Sequence, residues 1–210
     1  MLLTMYLVKI PIWLQRFYRN RLFQYHTKEK ILYITFDDGP NKSTTPFILS
    51  QLKKYGAKAS FFCIGKNVEL EKELYQQICN DGHLIGSHTY HHLNGWQENV
   101  HTYVTDVIAA DRLLESDFFR PPYGRMRKRQ ERVLLQKRPS LKIVMWSVLS
   151  GDFDTNINSE KCLQNVLGNA KEGDIVVFHD SDKASERLQY VLPKTLEHYA
   201  RLGYRFDVLH

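Results

Sequence analysis

The 210-residue sequence lacks the features that would place it among disordered, repetitive or disulfide-built proteins. It has no low-complexity stretch and no internal repeat at solenoid periods. Its three cysteines are widely spaced and form no CxxC pair, so we expect buried free thiols rather than a disulfide framework. No Gly-x-Ser-x-Gly sequence is present, which excludes the nucleophile elbow of a serine hydrolase. With 43 % hydrophobic residues, the chain is expected to form one compact domain with a sizeable core.

The sequence also lacks a basic region ahead of its apolar residues 1–14 and a small-residue cleavage site after them. This absence of a signal peptide favours a cytoplasmic protein, with the cell envelope as the alternative. The apolar stretch is interrupted by Pro11 and is too short to span a bilayer, so stable membrane insertion is not expected. We predict that residues 1–30 pack on a main domain of residues 31–210. An interfacial amphipathic anchor is the alternative for this segment.

The charge is moderately basic, with a net value of +6 and a pI near 9.1. The densest basic run is 125–132, which a solvated helix face explains better than a groove for an anionic polymer. No nucleic-acid-binding motif accompanies this run, so nucleic acid is not an expected partner. The sequence does not specify an oligomeric state.

The most informative motif is Thr-Phe-Asp-Asp-Gly-Pro at residues 35–40, directly after the apolar run 31–34. That run is typical of a buried strand, and Gly39-Pro40 then turns the chain away. Asp37 and Asp38 therefore emerge together at a strand end. Adjacent like charges are costly there unless a cation or a proton lies between them. Taken alone, the motif is equally consistent with a solvated turn.

Two histidines fifty residues later favour the cation. His88 and His92 are four residues apart, so on one helical turn they would share a face and could bind one ion. On such a turn His91 would point away from His88. Two imidazoles and one carboxylate leave coordination positions open for water, as a catalytic zinc site requires. A non-haem iron oxygenase uses the same three donor types, so this set does not decide the reaction.

Three further motifs carry ionisable groups. Phe-Arg-Pro-Pro-Tyr-Gly at residues 119–124 places Arg120, a permanent cation suited to orienting a carboxylate, beside a rigid turn. Asp152 follows the apolar run that ends at Leu149, and His179 ends the apolar run 175–178. Each of these residues, taken singly, also has an ordinary structural explanation.

Strand and helix patterns alternate along the chain, which predicts parallel strands joined by helical crossovers. The predicted strands lie near 31–36, 57–63, 83–87, 117–120, 141–148, 174–178 and 204–208. The predicted helices lie near 44–55, 67–81, 97–115, 126–138, 159–171 and 184–201. Seven strands approach a TIM-type barrel with one unit missing. Every polar group named above falls at or just beyond the C-terminal end of a strand, where active sites form in such barrels.

With these five motifs in this order, the chain resembles the polysaccharide deacetylases with a NodB homology domain, also called carbohydrate esterase family four. The resemblance runs from about residue 30 to the C-terminus. It implies a distorted (β/α)7 barrel and a hydrolase that removes N-acetyl groups from a glycan containing N-acetylglucosamine, such as peptidoglycan or chitin-type oligomers. A water bound to a divalent metal ion, zinc or alternatively cobalt or another ion, would attack the acetamide and release acetate.

The resemblance also implies a role for each motif residue. It makes Asp37 the catalytic base, which Arg120 steadies, and makes the backbone N–H of Tyr123 a donor to the oxyanion. It makes His179 the general acid, with Asp152 as its partner. The metal ligands that it implies are Asp38, His88 and His92.

The fourth motif departs from the usual D-x-x-D-W pattern of the family. Leu149 replaces its first aspartate and Phe153 replaces its tryptophan, while Val177 replaces the usual leucine before the last histidine. These changes leave open a longer or differently shaped glycan, or a non-glycan amide. The alternative functions are a metal-dependent amidase on a small molecule and a non-catalytic glycan-binding module. The second is disfavoured, because a binding module has no use for a base and an acid on opposite sides of a metal.

Overall fold

A computed structural model describes residues 6–210 of the chain. Strands within this part are β1 Arg21–Leu22, β2 Ile31–Asp38, β3 Ser60–Cys63, β4 Leu84–Ser87, β5 Phe118–Phe119, β6 Lys142–Val144, β7 Val148–Leu149, β8 Ile175–His179 and β9 Arg205–Phe206. Its helices are α1 Ile12–Gln15, α2 Thr45–Lys54, α3 Gly65–Leu70, α4 Lys72–Asn80, α5 Val100–Leu114, α6 Lys128–Lys137, α7 Ser159–Leu167 and α8 Ser185–Arg201. A 3₁₀ turn covers Pro122–Gly124.

All strand pairs in the sheet are parallel, in the order β1-β6-β5-β4-β3-β2-β8-β7, with β9 beside β2. The sheet curls into a half-barrel covered by the helices, which confirms the predicted NodB-type (β/α)7 architecture. Strand β2 lies near the middle and is buried along all but its last residue. This explains its unbroken apolar run, because strands of a parallel sheet are covered on both faces. Stacked rings of Phe36, Phe61 and Phe178 form part of the core.

The N-terminal segment joins the two edges of this sheet. Lys9 forms an antiparallel bridge with Val148 of β7, and β1 pairs with β6 at the opposite edge. Two buried or half-buried ion pairs hold the segment in place: Lys9 Nζ lies 2.6 Å from an oxygen of Asp174, and Arg21 lies 2.7 Å from Glu131. The prediction for residues 1–5 lies outside the described residues.

Two predicted elements are divided in the structure. The predicted strand 141–148 is two short strands, β6 and β7, because residues 145–147 leave the ladder between them. The predicted helix 67–81 is divided into α3 and α4 at Glu71, whose φ and ψ of −120° and 51° are not helical. None of the helices in residues 6–210 combines the length and the apolar character that a membrane span needs.

Candidate active site

The register of the sheet aligns the ends of the strands that carry the motifs. Asp38 is opposite Cys63, Cys63 is opposite Ser87, and Ser87 is opposite Phe119. His88 and Arg120 directly follow Ser87 and Phe119, so they leave the sheet at the level of the two aspartates. On the other side of β2, Asp37 is opposite His179 of β8. The parallel register therefore gathers motifs that are far apart in sequence, such as those of Asp37 and His179, at one edge of the sheet.

Asp38, His88 and His92 form a cluster whose potential ligand atoms all lie within 4.8 Å of one another. An oxygen of Asp38 lies 3.3 Å from Nε2 of His92 and 3.8 Å from Nε2 of His88. That oxygen is buried and has no hydrogen-bond partner among the described residues. Burial opposes ionisation of Asp38, but the neighbouring histidines hold its pKa well below its usual range. A buried anionic oxygen beside two imidazoles fits a divalent metal ion.

His88 is prepared for the role of a ligand by its surroundings. Its Nδ1 lies 2.7 Å from the carbonyl oxygen of Arg120, so it donates its proton there and leaves Nε2 with a free lone pair. Burial lowers the pKa of His88 to about 4, which keeps the imidazole neutral. The residue is almost fully buried. Orientation and protonation state thus both suit metal binding.

The loop that carries the histidines is not the helical turn that their spacing predicts. Thr89 and His92 have positive φ angles of 63° and 59°, so the expectation of a shared helix face is wrong. The side chain of Asp106 holds the loop instead, accepting hydrogen bonds from the backbone N–H groups of Tyr90 and His91 at 2.7 and 3.0 Å. Nδ1 of His91 lies 2.5 Å from the same carboxylate, so His91 is engaged away from the cluster.

Asp37 lies beside the cluster of Asp38, His88 and His92 and forms an ion pair with Arg120. Its Oδ1 accepts a hydrogen bond of 2.6 Å from Nη1 of Arg120, and its Oδ2 lies 4.0 Å from Nε2 of His88. The guanidinium is completely buried and also donates to the Thr35 hydroxyl and to the carbonyl of Met145, at 2.8 and 2.9 Å. With a donor on each of three acceptors, Arg120 fixes the direction of the Asp37 carboxylate.

A second ion pair lies at the end of β8. Nδ1 of His179 is 2.8 Å from Oδ1 of Asp152, and Oδ2 of the same carboxylate accepts the backbone N–H of His179 at 2.7 Å. Burial disfavours the imidazolium, but the charge and hydrogen bond of Asp152 outweigh it and raise the pKa of His179 to about 9. Since Nδ1 is committed to Asp152, Nε2 is the nitrogen that can deliver a proton to a ligand.

Tyr123 lies between these groups and solvent. Its ring is exposed and contacts that of His92, with 4.8 Å between the ring centroids. Its backbone has a φ of 59°, and Gly124 follows with a φ of 67°. A side chain at Gly124 would come within 2.8 Å of Trp146, so this close turn requires glycine.

Sequence reasoning missed two groups that support these residues. Arg187 is buried and donates from Nε to the carbonyl of Asp152 at 2.6 Å. Asp180 accepts hydrogen bonds from the hydroxyls of Thr44 and Thr45 and donates its N–H to the carbonyl of Asp37. Asp180 could have been found as the acid that follows His179, but no sequence signal marks Arg187, because it lies inside the pattern of a surface helix.

The chain was compared with known proteins. Residues 24–138 match the sequence profile of the Polysaccharide deacetylase family. A peptidoglycan-N-acetylglucosamine deacetylase of Bacillus cereus is 34 % identical over 85 % of this chain and 85 % of its own length. A chitooligosaccharide deacetylase of Azorhizobium caulinodans is 33 % identical over 71 % of this chain and 73 % of its own. The chain spans only 55 % of another B. cereus peptidoglycan-N-acetylglucosamine deacetylase.

Solved structures show the same likeness in three dimensions. The crystal structure of the Bc1960 peptidoglycan N-acetylglucosamine deacetylase superposes with a TM-score of 0.84 at 30 % identity. The superposition covers 94 % of this chain and 93 % of that one.

Proposed function

Because the chain belongs to the polysaccharide deacetylase family, we propose that it removes N-acetyl groups from a glycan and releases acetate. The substrate that we propose contains N-acetylglucosamine, as peptidoglycan and chitin-type oligomers do. The names of relatives that act on peptidoglycan and on chitooligosaccharides support this class. Two ion pairs, Asp37–Arg120 and Asp152–His179, carry the proposal. Asp37 of β2 and His179 of β8 are opposite each other in the sheet, next to the cluster of possible metal ligands.

Asp38, His88 and His92 would hold a divalent metal ion, and we propose zinc, with cobalt as an alternative. Bound there, the ion supplies Lewis-acid activation of a water molecule and of the amide carbonyl. The cluster fits this role because it offers two imidazole nitrogens and one carboxylate oxygen that has no hydrogen-bond partner among the described residues.

In this proposal Asp37 accepts the proton of the attacking water. Its Oδ1 is occupied by Arg120, which leaves Oδ2 on the side of His88 as the proton acceptor. Removal of a positioned base of this kind costs about 10²- to 10⁴-fold in rate. The backbone N–H of Tyr123 would donate to the carbonyl oxygen as negative charge develops on it, an interaction worth about 10²- to 10³-fold.

In this proposal His179 donates the second proton. It delivers the proton from Nε2 to the sugar nitrogen as the C–N bond breaks, while Asp152 stabilises the charged imidazole at Nδ1. Water thus divides between the products: its oxygen goes to acetate and a proton goes to the amino sugar.

The experiment that tests this function is acetate release from N-acetylglucosamine oligomers and from peptidoglycan. Metal-free protein and protein refilled with zinc or cobalt are assayed side by side, with Asp37→Asn as a control that keeps the ligand set. We expect acetate from the refilled protein only. If one metal ion binds per chain and no glycan yields acetate, the glycan proposal is wrong, and a small-molecule amidase takes its place.

A further inference from the structure

The segment ahead of β2 has an unusual surface. Residues 6–28 contain five lysines and arginines and no acidic residue. Helix α1 in this segment has no buried residue. Trp13 is 63 % exposed and Phe17 is 71 % exposed, and their rings contact each other edge to face at 6.3 Å. Ile12 and Leu7 are exposed as well. Apolar side chains that face solvent together mark interaction surfaces more often than isolated ones do.

Basic side chains from two parts of the chain lie around Phe17, the ring that contacts Trp13. Exposed Arg16 and Arg19 of the segment line the same surface depression as exposed Lys128 and Arg132 of α6, and Phe17 lies in its wall. We call this surface the N-terminal patch, defined by Trp13, Phe17, Arg16, Arg19, Lys128 and Arg132.

One acidic residue, Glu131, lines the same depression, but it does not offset the positive charge of the four basic residues. Glu131 is buried and bound by Arg21, with distances of 2.7 and 3.0 Å from its Oε2 to two guanidinium nitrogens. Its charge is therefore already neutralised within the fold. The four exposed cations around Phe17 give the depression a positive potential.

The contacts between the N-terminal segment and the two edges of the sheet do not explain why Trp13 and Phe17 are exposed. The contacts that join the two edges are made by Lys9, β1 and Arg21, and the apolar residue that the segment buries is Phe23. Trp13 of α1 and Phe17 in the turn after it lie between these contacts in the sequence, and both side chains are exposed. Their exposure serves no packing purpose in the described part of the chain.

Positive charge alone would suit any anionic polymer, but exposed tryptophan and phenylalanine next to it are typical of groups that enter a lipid interface. The rings lose unfavourable contact with water at the headgroup level, while arginine and lysine bind the negative headgroups. We propose that the N-terminal patch docks the protein reversibly on an anionic lipid surface. This inference stands apart from the proposed deacetylation, because it uses none of the site residues.

Vesicle co-flotation of the full chain tests the proposal. We expect binding to vesicles of phosphatidylglycerol and phosphatidylcholine, and little binding to phosphatidylcholine alone. Each basic residue near an anionic surface raises the partition coefficient of a protein onto the membrane about fivefold. The double variant Arg16→Gln/Arg19→Gln should therefore weaken vesicle binding about 25-fold. The matched control Lys53→Gln/Lys54→Gln removes two exposed lysines of α2 and should change binding much less.

The aromatic contribution is tested separately. Trp13→Ser should weaken vesicle binding about tenfold or more, because the ring no longer buries its apolar area. Trp96→Ser removes a tryptophan of similar exposure, 57 %, that is not part of the N-terminal patch, and should bind like the parent protein. Acetate release from soluble oligomers should be equal in the parent and Trp13→Ser, which separates docking from catalysis.

Three outcomes would overturn the proposal. Equal binding to neutral and anionic vesicles would remove the role of the arginines. Equal loss from Lys53→Gln/Lys54→Gln and from Arg16→Gln/Arg19→Gln would show a general charge effect without a patch. Unchanged vesicle binding by Trp13→Ser, together with tight binding to soluble polyglutamate, would identify the patch as a site for anionic polymers instead.

Discussion

Replacement of Asp152 by Asn is the perturbation that most directly tests how the site controls its proton donor. Asp152 is fully buried and contacts His179 twice, through Nδ1 and through the backbone N–H. The amide of Asn keeps the volume but removes the negative charge. Burial, which favours the neutral imidazole, is then opposed only by the charges of Asp38 and Asp37. The pKa of His179 should therefore fall from about 9 towards its ordinary 6.5.

The expected magnitude follows from the protonated fraction. A general acid works only in its protonated form, so activity is full below the pKa of His179 and is lost as the pH rises through it. At pH 8, a group with a pKa near 9 is about nine-tenths protonated, whereas one at 6.5 is about 3 % protonated. Asp152→Asn should therefore lower kcat/KM for a glycan about thirtyfold at pH 8, and less at pH 6.

The assay is the pH profile of kcat/KM for both proteins with the same metal, so the effect of the ion on either pKa is common to the two. A ¹⁵N NMR titration of His179 in the metal-free proteins gives the pKa values directly. The variant should lose little activity on 4-nitrophenyl acetate, whose leaving group needs no proton. A uniform loss at every pH, with the alkaline limb unmoved, would refute the electrostatic role and leave Asp152 as a structural group.

Three other variants test separate parts of the site. Asp37→Asn should keep its metal and lose about 10²- to 10⁴-fold in turnover, and loss of the metal would instead make Asp37 a ligand. His92→Ala should bind less than one metal ion per chain by atomic absorption, whereas the neighbouring His91→Ala should bind one; the reverse result would exchange their roles. In Gly39→Ala the new Cβ would clash with a buried oxygen of Asp180, so denaturant titration should show a stability loss of about 1–3 kcal/mol, and an unchanged midpoint would contradict this.

The sequence was sufficient to predict which residues meet, because strand ends in a parallel sheet share one edge. Asp37, Arg120 and His179 lie in different motifs, yet each follows an apolar run that ends at the same level of the sheet. Apolar runs and their alternation with helical patterns are local signals, so they can be recognised in a single sequence. The barrel and the composition of the candidate site were therefore predictable without the structure.

Features set by long-range contacts were not predictable. The spacing of His88 and His92 suits a helix, but the Asp106 carboxylate from α5 binds the loop and holds it in another conformation. Residues 141–148 read as one strand because the run is apolar. The chain instead changes neighbours there: the N–H of Met145 donates to Leu22 of β1, whereas that of Ser147 donates to Ile175 of β8. In both places contacts with residues distant in sequence, not the local pattern, determine the conformation.

The departures in the fourth motif can now be related to the chemistry. Leu149 is buried in β7 opposite Val177 and replaces a polar group inside the sheet. The Phe153 ring lies 5.0 Å from that of His179 and 5.2 Å from that of Tyr6, so the N-terminal segment reaches the rim of the site here. Neither change touches the two hydrogen bonds between Asp152 and His179. The altered residues therefore change the surroundings of the Asp152–His179 pair and leave its hydrogen bonds intact, so the proposed proton transfer does not depend on them.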